Sequence, residues 1–165
     1  MAETLQRDLT TGGPEEVTLF LPPVRQEDRV QVRRVGEMLY TPAVIPRWGD
    51  EIRCLGTVDH DVPVRTAARG ARLCVHNLLA LLQDELGSLD QVGHVQQLNV
   101  LVRCSEGFFS PARVADGASD ALYQAFGERG RHHRSVVETH QLPEGAAVQV
   151  SAIFRIRPIA RVTVH

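Results

Sequence analysis

Three histidines, His132, His133 and His140, bracket Arg134 near the C-terminal end of the chain. Imidazole takes up and releases protons near neutral pH, so His132 and His133 could shuttle a proton beside a fixed cation. The plainer reading of the same residues is a loop surface or an interface. Acidic candidates stand at Asp120 and Glu138. Glu138 follows Arg134 by four residues on one strand face, about 13 Å at roughly 3.3 Å per residue, too far for both to touch one small ligand in one chain. Cys54, Cys74 and Cys104 are an odd, widely spaced set with no CxxC, which argues against a disulfide framework or a zinc knuckle. They read as small buried hydrophobes on strands and a helix.

What is missing narrows the chemistry further. All 18 basic residues are arginine, so there is no lysine to form a Schiff base, to carry pyridoxal phosphate or to serve a P-loop. The plainer account of the all-arginine usage is a GC-rich coding bias. The formal charge is −2 and no basic run occurs, so nucleic acid is not an expected partner. No metal and no cofactor is expected.

The elements that must position these residues follow from pattern. With 165 residues, 43% hydrophobic and 23% charged, the chain suits one globular domain with a sizeable core. No apolar run approaches the roughly 18 residues that span a bilayer. The polar, acidic N-terminus lacks signal-peptide features, so a cytoplasmic location is expected. Residues 1–16 read as a flexible tail and 17–165 as a single domain, with Val17 to Pro23 packing on it. Arg25 to Arg34 reads as a solvated charged face. Met38 to Ile45 and Ile52 to Val58 read as a hairpin around Gly49-Asp50. Asp59-His60-Asp61 and Pro63 signal a helix start, and Ala67, Ala71, Cys74, Val75, Leu78, Leu82 and Leu86 continue at helical spacing to a stop at Gly87.

His94 to Arg103 reads as a central strand, with Leu98, Val100 and Val102 on one side and Val95, Asn99, Leu101 and Arg103 on the other. A second helix follows Pro111 and ends at Gly127 and Gly130. His133 to Thr139 is a strand, Leu142 to Gly145 a turn, and Ala147 to Arg157 an alternating strand. The order β-β-α-β-α-β-β predicts an α+β fold, two helices on one face of a mixed sheet. The other face, with Gln149, Ser151 and Ile153, then favours an oligomer interface containing polar pockets.

Three segments carry a resemblance: NLLALLQDELGSLDQVGHVQQLNVLV, GASDALYQAFGERG and RHHRSVVETHQLPEGAAVQVSAIF. Together they resemble the reactive-intermediate deaminase (RidA, formerly YjgF) family, in its longer branch, over Tyr40 to Ile156, about 70% of the chain. The spacing from His-x-Arg-Ser through Leu-Pro-x-Gly to the last strand is the specific part. The resemblance implies a homotrimer of chorismate-mutase-like subunits with a pocket at each interface. It also implies hydrolysis of enamines and imines to keto acids and ammonia.

By the same resemblance Arg134 grips the substrate carboxylate, for which a guanidinium offers a permanent charge and a planar fork. A backbone group of Val136 and the side chain of Tyr40 line the pocket, and Asp120 takes the place of an asparagine in the second helix. Gln149 stands where the family has a glutamate that activates water. An amide orients water but takes no proton, and a general base is worth about 10²–10⁴-fold in rate. Ser151 and Leu55-Gly56 depart from the family pattern too. Asp120 or a histidine would then have to move the proton. Three readings stay open: hydrolytic deamination, non-hydrolytic processing such as cyclisation, condensation or tautomerisation in a specialised pathway, and a ligand-binding trimer without catalysis. Ribonuclease activity, ascribed to some relatives, fits this charge balance poorly.

Overall fold

The computed structural model describes residues 19–108 and 110–158; the expected tail over 1–16 lies outside them. A short helix α1 (Gln26–Arg29) precedes strands β1 (Arg33–Val35), β2 (Met38–Tyr40), β3 (Arg47–Trp48) and β4 (Glu51–Ile52). Then come α2 (Val64–Leu86), β5 (Val92–Arg103), α3 (Pro111–Phe126), β6 (His133–Thr139) and β7 (Val148–Ile156). Five strands form one mixed sheet in the order β1-β2-β7-β5-β6, and β3 pairs with β4 separately. Among the strands of the described residues only β5 and β6 pair in parallel, joined by α3 as the crossover that a parallel pair requires.

Both helices lie on one face of that sheet, as expected. Leu98, Val100 and Val102 of β5 and Val148, Val150 and Phe154 of β7 bury there against Cys74, Val75, Leu78 and Leu82 of α2 and Ala118 and Leu122 of α3. Each fully buried aliphatic side chain of this kind contributes about 1.5–3 kcal/mol. In α2 the buried set widens to the unbroken run Leu78 to Leu82, because α3 packs on a second side of the helix. No helix among the described residues is long and apolar enough to cross a membrane.

The first third departs from expectation. The hairpin turns at Gly49-Asp50 as predicted, but its strands are two residues each and stand outside the main sheet. Pro42 and Pro46 lack the N–H groups a longer strand from Met38 would need. Ile52 to Val58 is no strand beyond β4; Cys54 sits there at φ 58°, in a loop rather than on a strand. The polar segment Arg25 to Arg34 holds α1 and part of β1, an exposed edge strand with no apolar alternation to betray it. Of Val17 to Pro23, Leu19 and Leu21 pack on the core.

Two finer corrections have local causes. Helix α2 begins with Pro63 at its N-cap and no side-chain cap. The carboxylate of Asp61 accepts instead from the Thr57 N–H at 2.9 Å, closing the preceding turn. In β5 a register shift between Val95 and Gln97 places Val95 on the core side with Leu98. A bulge of this kind resets strict alternation, which had assigned Val95 to the opposite face.

His76 is buried on α2, only 8% exposed, and burial together with the nearby Arg72 guanidinium lowers its pKa from 6.5 to about 4. The unfolded chain therefore binds more protons between these values, so stability is full above pH 6.5 and falls as pH drops toward 4. The loss at pH 4 amounts to roughly 2–3 kcal/mol. Melting curves from pH 7 to 4 are expected to show this decline, with a shallower slope in His76→Leu; equal slopes would refute it.

Candidate functional site

Arg134 is the second residue of β6, an edge strand, and its register with Leu98 directs it to the helix-covered side of the sheet. There Nη1 donates to Oδ1 of Asp116 at 2.8 Å and to Oγ of Ser119 at 3.2 Å, both residues on α3. Its side chain keeps 28% of its surface exposed. Among the described residues, Nε and Nη2 make no hydrogen bond, so one bidentate edge of the guanidinium is open to a ligand.

Ser119 is also hydrogen-bonded to His132, with Oγ 2.9 Å from Nε2. Nδ1 of His132 lies 2.6 Å from the Gly130 carbonyl oxygen, which can only accept. Nδ1 therefore carries the proton, and the Ser119 hydroxyl donates to Nε2. Burial, then the nearby Arg134 charge and His94, lower the His132 pKa against the opposing Gly130 bond. His132 is thus a neutral imidazole at neutral pH, stacked on Tyr123 at 5.4 Å between ring centroids. His133 is exposed on β6.

Val136 pairs with Val100 and packs against the core, so its backbone lies on the free edge strand two residues from Arg134. Asp120 is exposed one helical turn beyond Asp116, and among the described residues it forms no ion pair. Asp116 and Ser119, which hold the arginine, were not singled out by the sequence. They sit at one spacing on the inner edge of α3, and only the docking of α3 on β6 brings them to Arg134.

Gln149 stands on the opposite face. It pairs with Leu101, three residues along and two strands over from the row of Arg134, about 10 Å in each direction. Tyr40 shares that outer face, paired with Ile153 and 41% exposed. Ser151 accepts from Asn99 at 3.4 Å, and Asn99 in turn accepts from Gln97 at 2.8 Å, forming a short polar ladder. One chain therefore does not bring Arg134 and Gln149 to a common ligand.

Gln149 borders a cavity of about 120 Å³ whose polar lining also includes Arg25, Asp28, Arg47, Asn77 and Glu144. Val44, Ile45 and Pro143 form much of its apolar wall. Arg47 is ion-paired with Glu144, which sits at φ 54° in the turn before β7. Burial raises the Asp28 pKa, partly offset by the charges of Arg25 and Arg47. Nothing in the charge pattern of residues 25–34 marked Arg25 or Asp28 as cavity residues.

The cysteines are poor nucleophiles. Burial raises all three thiols, Cys54 to about 11. A thiol of that pKa is ionised to only about one part in 10⁴ at pH 7. Labelling with a thiol reagent at pH 7 is expected to be very slow until denaturant is added; rapid native labelling would contradict this burial. Among the described residues no group of three His, Cys, Asp or Glu side chains gathers to hold a metal.

No family model matches the chain. Protein TCP17 of Trypanosoma cruzi is 37% identical over 123 residues, covering 73% of this chain and 76% of that protein. The crystal structure of Atu1372 from Agrobacterium tumefaciens, a protein of unknown function, superposes with a TM-score of 0.78 at 34% identity, over 84% of this chain and 87% of that one. The YjgF gene product of E. coli shares the fold at a TM-score of 0.56 and 21% identity, over 82% and 94% of the two chains.

Proposed function

Because this chain belongs to one family with the Trypanosoma cruzi protein TCP17 and has the fold of the YjgF/RidA proteins, we propose that it binds a small imine or enamine carrying a carboxylate and hydrolyses it to a keto acid and ammonia. The observation that carries this reading is Arg134, fixed through Nη1 by Asp116 and Ser119 with its Nε and Nη2 edge open. Arg134 anchors the carboxylate, a backbone group of Val136 on the free edge adds a hydrogen bond, and Tyr40 and Gln149 line the opposite wall. Gln149 orients the attacking water.

Arg134 and Gln149 lie on opposite faces of one sheet, so a shared pocket takes one from each of two chains. A homotrimer supplies that arrangement. The outer face supports it with Leu101 and Ile153 half-buried and Tyr40 and Val137 exposed, an apolar surface of the kind that subunits cover. Light scattering is expected to give three times the chain mass; a monomer would remove the shared pocket.

The replacement of a carboxylate by Gln149 favours a second reading, in which the pocket steers a bound imine toward cyclisation, condensation or tautomerisation. Ammonia release from freshly generated 2-aminoacrylate separates the two. Release above the spontaneous rate supports hydrolysis. No release from the wild type, with release gained by Gln149→Glu at unchanged ligand affinity, supports the second reading. Silence from both, with tight keto-acid binding, leaves a binding protein.

A further inference from the structure

The cavity bordered by Gln149 contains one carboxylate that is not already committed. Glu144 lines it but is ion-paired with Arg47. Asp28, on α1, lines the same cavity, is partly buried, and makes no hydrogen bond or ion pair within 4.0 Å through its side chain among the described residues. The cavity, at about 120 Å³, has room for several waters or a small ligand. The segment bearing Asp28 lies outside Tyr40 to Ile156, so nothing in the resemblance assigns it a role.

We propose that Asp28 is the proton acceptor for the water that Gln149 orients, so that the short helix α1 supplies the carboxylate the last strand lacks. This rests on the hydrolytic reading above. The charged groups around it are Arg25 and Glu27 from its own segment, Arg47 from β3 and Glu144 from the turn before β7. Burial raises its pKa and so strengthens it as a base, while the charges of Arg25 and Arg47 oppose that rise.

The chemistry balances with water as the only co-reactant. The water oxygen bonds to the iminium carbon, the C=N π pair moves to nitrogen, and a water proton passes to Asp28. Asp28 returns that proton to the carbinolamine nitrogen. It then takes the hydroxyl proton as the C–N bond breaks and the carbonyl forms, and passes it to the departing ammonia. The sum is iminium plus water giving ketone plus ammonium.

The test is steady-state ammonia release from 2-aminoacrylate by wild type, Asp28→Asn and the double variant Asp28→Asn/Gln149→Glu, from pH 4 to 9. Asp28→Asn is expected to lower kcat about 10²-fold or more with KM little changed, and to abolish the acidic limb of the wild-type profile. The double variant is expected to regain at least tenfold, since a carboxylate then reaches the same water from the last strand. Wild-type kcat and an unchanged acidic limb in Asp28→Asn overturn the assignment alone. A wild type with no release above the spontaneous rate overturns the hydrolytic reading, and the assignment with it. If Asp28→Asn is misfolded by circular dichroism, Asp28→Glu decides: a displaced carboxylate should shift the acidic limb, and an unmoved limb overturns the proposal.

Discussion

Replacing Arg134 with alanine is expected to lower kcat/KM for ammonia release by about 10²–10⁴-fold. The open Nε and Nη2 edge would give a carboxylate two charge-assisted hydrogen bonds, each worth about 1.5–3 kcal/mol. Stability should change far less. Arg134 and Asp116 are 28% and 58% exposed, and a pair so exposed contributes about 1 kcal/mol or less. The diagnostic result is thus a collapse of kcat/KM with a nearly unchanged melting temperature. Arg134→Lys sharpens it: lysine keeps the charge but loses the planar fork, so it should recover only part of the loss. If Arg134→Ala keeps wild-type kcat/KM, the anion is held elsewhere, and Arg25 and Arg47 in the Gln149 cavity are the next guanidinium groups to remove.

The second large effect concerns the scaffold. Gly117 sits inside α3, where Gly→Ala ordinarily stabilises a helix by about 1 kcal/mol. Here the sign should reverse. A Cβ at Gly117 would overlap the backbone carbonyl of Ala68 on α2, lying 2.7 Å from its carbon. Backbone cannot swing aside as a side chain can, so α2 and α3 must separate. That shift disturbs the buried core that holds Ala67, Ala71 and Val75 of α2 together with Val114, Ala118 and Ala121 of α3.

Overpacking of this kind costs about 1–3 kcal/mol and occasionally more. Gly117→Val, bulkier and without the helix-propensity gain, should reach at least the upper end, and Gly117→Ala should fall below it. At roughly 2–4 °C per kcal/mol for a chain near this size, Gly117→Val should melt about 10 °C lower. A stabilised Gly117→Ala would show that the helices do not approach this closely. Because α3 carries Asp116 and Ser119, a loosened α3 should also weaken ligand binding at Arg134.

Much of this molecule was legible in its sequence where burial is one-sided. The helix from Val64 to Leu86 and the alternation of Val148 to Ile156 each print their period because one face meets the core and the other does not. The α+β class follows from those periods. That Gln149 stands where the family pattern has a glutamate is implied by the resemblance, since identity at a position is a property of sequence alone. Of the first third only the Gly49-Asp50 turn and the packing of the apolar piece before Pro22 were legible. Helix α1 and strand β1 bury nearly nothing, and the short β3–β4 pair is set by two prolines and a turn rather than by an apolar pattern.

The site divided along the same line. The resemblance singled out Arg134, Gln149, Tyr40 and Asp120. Tertiary structure decided their company: Asp116 and Ser119 on the arginine, Asp28 and Arg47 near the glutamine, and a sheet between the two groups. The reason is physical. Periodicity records which side of an element faces the core. Which polar residues meet depends on how separate elements dock, and that docking is fixed by apolar contacts elsewhere, the α2–α3 seam above all.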